Sequence, residues 1–174
     1  AEAFVARRPE VPALLAELGL AYRQRGTTGV RPLLYRNRLL HRLPADTVSG
    51  IPSSPASMAG LVDAETLTRI AGEPDRPLAF EPGSDPALGA LVADRFGEQV
   101  VASSVDPLIG GVYAGSAATV GLRSAVPGLA ALLDEGVPSL TEAVRRTLPA
   151  TTGVPVFGAI TGGYQVLVAA LARS

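Results

Sequence analysis

Glycine and proline punctuate this chain more heavily than anything else in it. There are 19 glycines and 15 prolines in 174 residues, about one residue in five. Proline lacks an amide donor and glycine is costly to order, so each tends to end a regular element. The chain can therefore build only short helices and strands, joined by many turns. With 47% hydrophobic and 18% charged residues it still has enough apolar side chain to bury a core, so it folds rather than staying disordered.

Hydrophobic spacing places the elements. Pro9 suits a first helical turn, Leu14, Leu15 and Leu18 share a face, and Gly19 is a stop. Alternation predicts strands over 31–36 and 38–43 turning at Arg36-Asn37, with Arg36, Arg38 and Arg42 sharing parity. Ser54-Pro55 reads as an N-cap and first helical residue, and 64–71 as a further helix. Asp85-Pro86 opens a helix carrying Leu88, Leu91, Val92 and Phe96, closed by Gly97. Another helix runs from Glu98 to Leu108, where Pro107 should stop or kink it. Residues 129–134 are a short apolar stretch. Ser139-Leu-Thr-Glu142 is a capping box that launches a helix to Leu148. A strand over 154–160 is followed by Gly162-Gly163 and a helix with Tyr164, Leu167, Val168 and Leu171 along one stripe. The expected fold is mainly α with a few short strands.

Composition removes several chemistries. Without cysteine there is no disulfide, thiolate metal site or cysteine nucleophile, and one histidine makes no multi-histidine metal cage. A Ser-His-Asp arrangement would have to use His41, which sits in an Arg/Leu alternation facing solvent or a partner strand. A net charge of -1 argues against broad nucleic-acid binding. No apolar run approaches the ~20 residues that span a bilayer. All 15 cations are arginine, as GC-rich coding would give. Eight of them, against three glutamates, lie in residues 1–45. That group is either a solvated basic face or a site for a carboxylate, which arginine grips through a bidentate fork. Gly110–Gly115 lacks the Gly-x-Gly-x-x-Gly spacing of a dinucleotide fingerprint. It reads as a turn between helices.

The run Asp106-Pro-Leu-Ile-Gly-Gly-Val-Tyr-Ala-Gly115 resembles the Asp-Pro-Leu-x-x-Gly-Val-Tyr-Ala-Gly signature of bacterial protoporphyrinogen/coproporphyrinogen oxidases, the oxygen-dependent FAD enzymes of haem synthesis. Arg95-Phe-Gly-Glu98, Arg31-Pro32 with Arg38-Leu-Leu-His-Arg-Leu-Pro44, the opening Ala1–Glu10, and Phe157–Gln165 resemble further segments of that family, in order. The resemblance implies an internal portion of a two-dinucleotide-binding-domain-type flavin oxidase. Residues 1–22 would edge the FAD domain and 23–48 would be substrate-domain strands. Residues 49–148 would be the helical, membrane-binding-type domain, and 149–174 would return to the substrate domain. It implies a porphyrinogen substrate, transfer of a hydride to FAD and reoxidation by O2. Arg31 would pair with a propionate, and Gly111, Tyr113 and Gly115 would lie against the macrocycle. The protein would be cytoplasmic or peripheral on a membrane, and the chain alone would not hold FAD. A non-enzymatic helical module binding a carboxylated ligand or partner protein is the alternative.

Overall fold

A computed structural model describes residues 3–6, 8–28, 30, 32–36, 38–148 and 156–173. Along the chain lie β1 (Phe4–Val5), α1 (Glu10–Glu17), β2 (Gln24–Gly26), β3 (Leu33–Arg36), β4 (Leu39–Arg42), β5 (Thr47–Val48) and β6 (Ile51–Pro52). Then come α2 (Ala64–Ala71), α3 (Leu88–Phe96), α4 (Glu98–Val100) and α5 (Asp106–Tyr113). They are followed by α6 (Leu122–Ala125), α7 (Pro127–Asp134), α8 (Leu140–Thr147), β7 (Phe157–Ile160) and α9 (Tyr164–Leu171). The architecture is mainly α with short strands. It divides into two compact units, Ala1–Arg31 with Ala150–Ser174, and Pro32–Pro149.

The first unit is an antiparallel sheet in the order β1-β7-β2, with Phe4 opposite Gly158 and Gln24 opposite Ile160. A Cβ on Gly158 would sit 2.6 Å from the Phe4 ring, so only glycine lets that ring lie on the strand. Phe4, Leu15 and Ile160 form the small core, with Tyr164, Val166 and Leu167 packed against it. Gly19 closes α1 at φ +68°, and the Leu20 amide reaches back to the Leu15 carbonyl, 2.7 Å. The expected apolar stripe of α9 is only half used. Val168 is 64% exposed and Leu171 is also exposed.

The second unit holds the large core. Leu88, Val92 and Phe96 of α3 meet Ile70, Val100, Val105, Ile109, Leu122, Leu129, Leu133, Leu140 and Val144. Each such side chain contributes roughly 1.5–3 kcal/mol on burial. One charged pair lies at the edge of this core. Glu73 and Arg95 are 0% and 2% exposed. The Glu73 Oε1 takes Arg95 Nε at 2.8 Å and an Arg95 terminal nitrogen at 2.7 Å. The same carboxylate accepts from the amides of Leu140 and Thr141 and from the Thr141 hydroxyl, at 2.9, 3.0 and 2.6 Å. Arg95 spends its other donors on the carbonyls of Glu73, Arg76 and Pro77. On the surface, Arg123 grips Asp134 through two bonds of 2.9 and 2.8 Å, and the Gly83 amide adds a third at 2.8 Å.

Several elements differ from expectation. The chain does not stop at Pro107. A wide π turn over Val101–Val105 precedes α5, and the helix then continues to Tyr113. Proline has no amide for the carbonyl four residues back, and the extra residue in the wide turn absorbs that misfit. Asp85 does not cap α3. Its carboxylate takes the Arg123 amide at 2.8 Å, at the start of α6. Asp63, not foreseen as a cap, accepts the Thr66 amide and starts α2. Ser54 precedes a 3-10 turn, Pro55–Met58, without a side-chain cap bond. Ser139 caps α8 as expected, taking the Glu142 amide at 3.1 Å. The Glu142 carboxylate, however, turns to Arg146, 2.9 Å. In the β3–β4 hairpin Leu33 opposes Arg42 and Arg36 opposes Leu39. Positions 36 and 42 therefore lie on opposite faces, because parity is not carried through the two-residue turn.

Two outcomes follow from these charges. Glu73→Ala leaves Arg95 and two amides buried without their acceptor and should cost about 3–5 kcal/mol by urea unfolding at neutral pH. Glu73→Gln, which keeps the shape, should cost less. Acid should also unfold the protein. Burial raises the Glu73 carboxyl, but bonds from Thr141, Leu140 and Arg95 outweigh it and hold it below its ordinary 4.5. Hydrogen bonds from Arg123 and Gly83 hold Asp134 down at about 2, from 3.8. Both groups stabilise above their unfolded values, and that stability goes as pH falls through the lowered ones. For Asp134 the window runs from 3.8 down to about 2. Asp134→Asn should flatten the pH dependence of the melting temperature there.

Candidate functional site

The long helix that Pro107 does not break presents an apolar face. At ~100° per residue, Leu108, Ile109, Val112 and Tyr113 fall within one arc of α5 and line an open cleft of about 320 Å³. The opposite wall is Leu43, Pro44, Thr47, Ser49 and Gly50. That size lies near the floor of small-molecule sites, ~300–1,000 Å³.

Each wall is fixed by specific bonds. Ser49 and Gly50 form the tight turn between β5 and β6, with φ of +49° and +83°. A Cβ on Gly50 would lie 2.7 Å from the Ser104 carbonyl oxygen. The turn thus seats directly on the π turn, where the buried Ser104 hydroxyl donates to the Gly50 carbonyl at 2.7 Å. On the helix side, Asp106 accepts the Ala117 amide at 2.7 Å and the Ser116 hydroxyl at 3.3 Å. That clips back the chain after Ala114, which ends α5 at φ +52°. The Tyr113 hydroxyl donates to the Ala125 carbonyl at 3.2 Å and more weakly to that of Ser124 at 3.4 Å. Its ring is left as the end of the cleft, 45% exposed.

The residues singled out in the sequence separate here. Tyr113 lines the cleft. Gly111 is on the same helix, ~60° round from Leu108, and is exposed. Gly110–Gly115 was expected to be a loop, but Gly110 and Gly111 are helical and only Ala114–Gly115 turns. A Cβ on Gly111 would meet nothing within 4 Å, whereas one on Gly115 would touch Val120 at 3.5 Å. Packing among the described residues therefore gives Gly111 no reason to lack a side chain. Arg31 lies outside the described residues. His41 sits opposite Leu34 on the hairpin. Sequence reading missed the wall 43–50 as a wall, although Leu43-Pro44 closes one of the quoted segments and Ser49-Gly50 is a tight-turn dipeptide. Among the described residues no strand–Gly-x-Gly-x-x-Gly–helix turn occurs.

The chain matches no family profile. It is 66% identical over 173 residues to the coproporphyrinogen III oxidase of Mycobacterium leprae, covering 99% of this chain and 38% of that protein. It is 65% identical, with the same coverage, to the protein of that name from Mycobacterium tuberculosis strain H37Rv. Identity to the Bacillus subtilis coproporphyrinogen III oxidase is 28% over 168 residues, 95% of this chain and 35% of that one. The chain thus spans about two fifths of the length of these relatives. Its fold is that of the crystal structure from Exiguobacterium sp. 255-15 described as a "Putative protoporphyrinogen oxidase". The TM-score is 0.82 at 23% identity, over 99% of this chain and 38% of that one. The resemblance carried by Asp106–Gly115 is borne out by these similarities.

The two glycines should respond oppositely. Gly50→Ala should destabilise the chain, since it forces both a left-handed alanine and a clash with Ser104. Gly111→Ala should stabilise it by about 0.5–1 kcal/mol, the gain of alanine over glycine in a helix. Thermal melting of the two variants checks this. A destabilised Gly111→Ala would mean that the chain itself packs against that position.

Proposed function

We propose that this chain is the helical and partly substrate-binding portion of an oxygen-dependent porphyrinogen oxidase that converts coproporphyrinogen III to coproporphyrin III. The observation that carries this is 66% identity across 99% of the chain to a protein named coproporphyrinogen III oxidase. A flavin supplies the redox chemistry of such enzymes when bound. The described residues carry no strand–Gly-x-Gly-x-x-Gly–helix turn, and on this reading the flavin is held by other parts of the whole protein. This chain's task is binding and orientation. The cleft between Leu43–Gly50 and α5 takes an apolar edge of the tetrapyrrole out of water. Gly111, bare of side chain on an exposed helix, lets a flat ring approach the backbone. Tyr113 closes one end. Arg31, immediately before Pro32, is the residue assigned to a propionate.

No described helix is long and apolar enough to cross a membrane, so bilayer contact by these helices would be peripheral. The reading is tested by purifying the whole oxidase with FAD and following porphyrin fluorescence on adding coproporphyrinogen III. A folded, flavin-loaded protein that produces no porphyrin overturns it.

Variants give the residue-level test. A bidentate guanidinium–carboxylate contact contributes ~1.5–3 kcal/mol per bond, with the low end expected at a solvated pocket mouth. Arg31→Ala in the whole oxidase should therefore weaken substrate use about tenfold. The loss should fall on KM rather than kcat, because a remote contact is shared by ground and transition states. Arg31→Lys should recover part of it, and Arg42→Ala should be close to silent. Equal defects at positions 31 and 42 would show a diffuse basic face instead. Gly111→Val should raise KM although it leaves the fold intact.

A further inference from the structure

The described residues that line the cleft are all uncharged. Its hydroxyls are partly spent. Tyr113 donates to the backbone at 124 and 125, and the Thr47 hydroxyl donates to the Pro44 carbonyl at 3.4 Å. A carboxylate entering here would shed water and meet no cation among the described lining residues, which is strongly unfavourable. The cations lie just upstream. Arg31, Arg36, Arg38 and Arg42 precede Leu43, and no acidic residue occurs between Glu17 and Asp46. The volume, about 320 Å³, suits one edge of a tetrapyrrole rather than the whole ring system.

We infer that this cleft receives a carboxylate-free edge of the porphyrinogen, the methyl-bearing side of a pyrrole, and that it orients the macrocycle by excluding propionates from the groove between Leu43–Gly50 and α5. This rests on the porphyrinogen oxidase reading. It adds a discriminating role for an uncharged wall, independent of the residue that holds a propionate.

Val112 offers a clean test, because it lines the cleft yet is 73% exposed, and charge there need not disturb the fold. In the whole oxidase, Val112→Arg and Val112→Asp should both raise KM for coproporphyrinogen III by about tenfold or more, with kcat changed far less. Val112→Gln, of similar reach but uncharged, should cost clearly less than either. Glu135→Arg, an exposed charge change at the end of α7 outside the cleft, controls for net charge and should leave KM as it is. If Val112→Arg lowers or preserves KM while Val112→Asp raises it, a carboxylate occupies the cleft and the inference is overturned. It is equally overturned if neither charge has an effect, or if Val112→Gln costs as much as both. Wild-type enzyme that oxidises no porphyrinogen at all would instead defeat the parent reading, so the two failures are distinct.

Discussion

The second unit is organised around one buried carboxylate. Glu73 sits in a 3-10 turn, Arg95 in the last turn of α3, and Leu140 and Thr141 at the first turn of α8. The carboxylate holds all three together with five contacts of 3.0 Å or less. Desolvating two charges costs several kcal/mol, and attraction alone does not offset it. What makes this pair tenable is that every oxygen is satisfied and that two of its donors are helix-start amides, which need an acceptor in any case. Apolar replacements of the same volume would fill the space but leave those amides open. The pair thus specifies where α8 begins relative to α3, and the remaining core follows from that placement.

From this frame the cleft is reached by few steps. α3 leads through Gly97 into α4 and the π turn, and the Ser104 hydroxyl on that turn seats the Gly50 hairpin. The same wide turn sets the rotation of α5. One residue more or fewer there would rotate α5 by ~100° and carry Leu108, Ile109 and Val112 away from Leu43 and Pro44. The Pro107 that would be expected to end a helix instead forces the irregularity that aims it.

That is also why the sequence was legible in some places and not in others. Stops at Gly19 and Gly97 and the cap at Ser139 depend on neighbours within a turn, so local chemistry revealed them. At Pro107 the sequence left a stop or a kink open, because which of them a proline causes depends on whether the preceding turn can widen. The role of Asp85 at the start of α6 was not legible, because its amide partner, Arg123, is far along the chain. The ion pair left no local trace either, since Glu73 and Arg95 are ordinary surface residue types and their burial is purely tertiary. Within the site, Tyr113 and the decapeptide around it stood out. The facing wall did not, because Leu43–Gly50 becomes a wall only when a helix some sixty residues later is laid against it.

Gly111 brings stability and use into opposition. In α5 it costs the helix about as much as any ordinary residue can, near 1 kcal/mol relative to alanine. A neighbouring strand or helix normally explains such a glycine, as the Phe4 ring explains Gly158 and the Ser104 carbonyl explains Gly50. At Gly111 nothing among the described residues comes within 4 Å of the missing Cβ. The helix is therefore less stable than it need be, on its exposed side and beside an apolar cleft. On the porphyrinogen oxidase reading proposed above, a flat apolar ligand would be that reason, the absent side chain leaving room for a ring to approach the backbone.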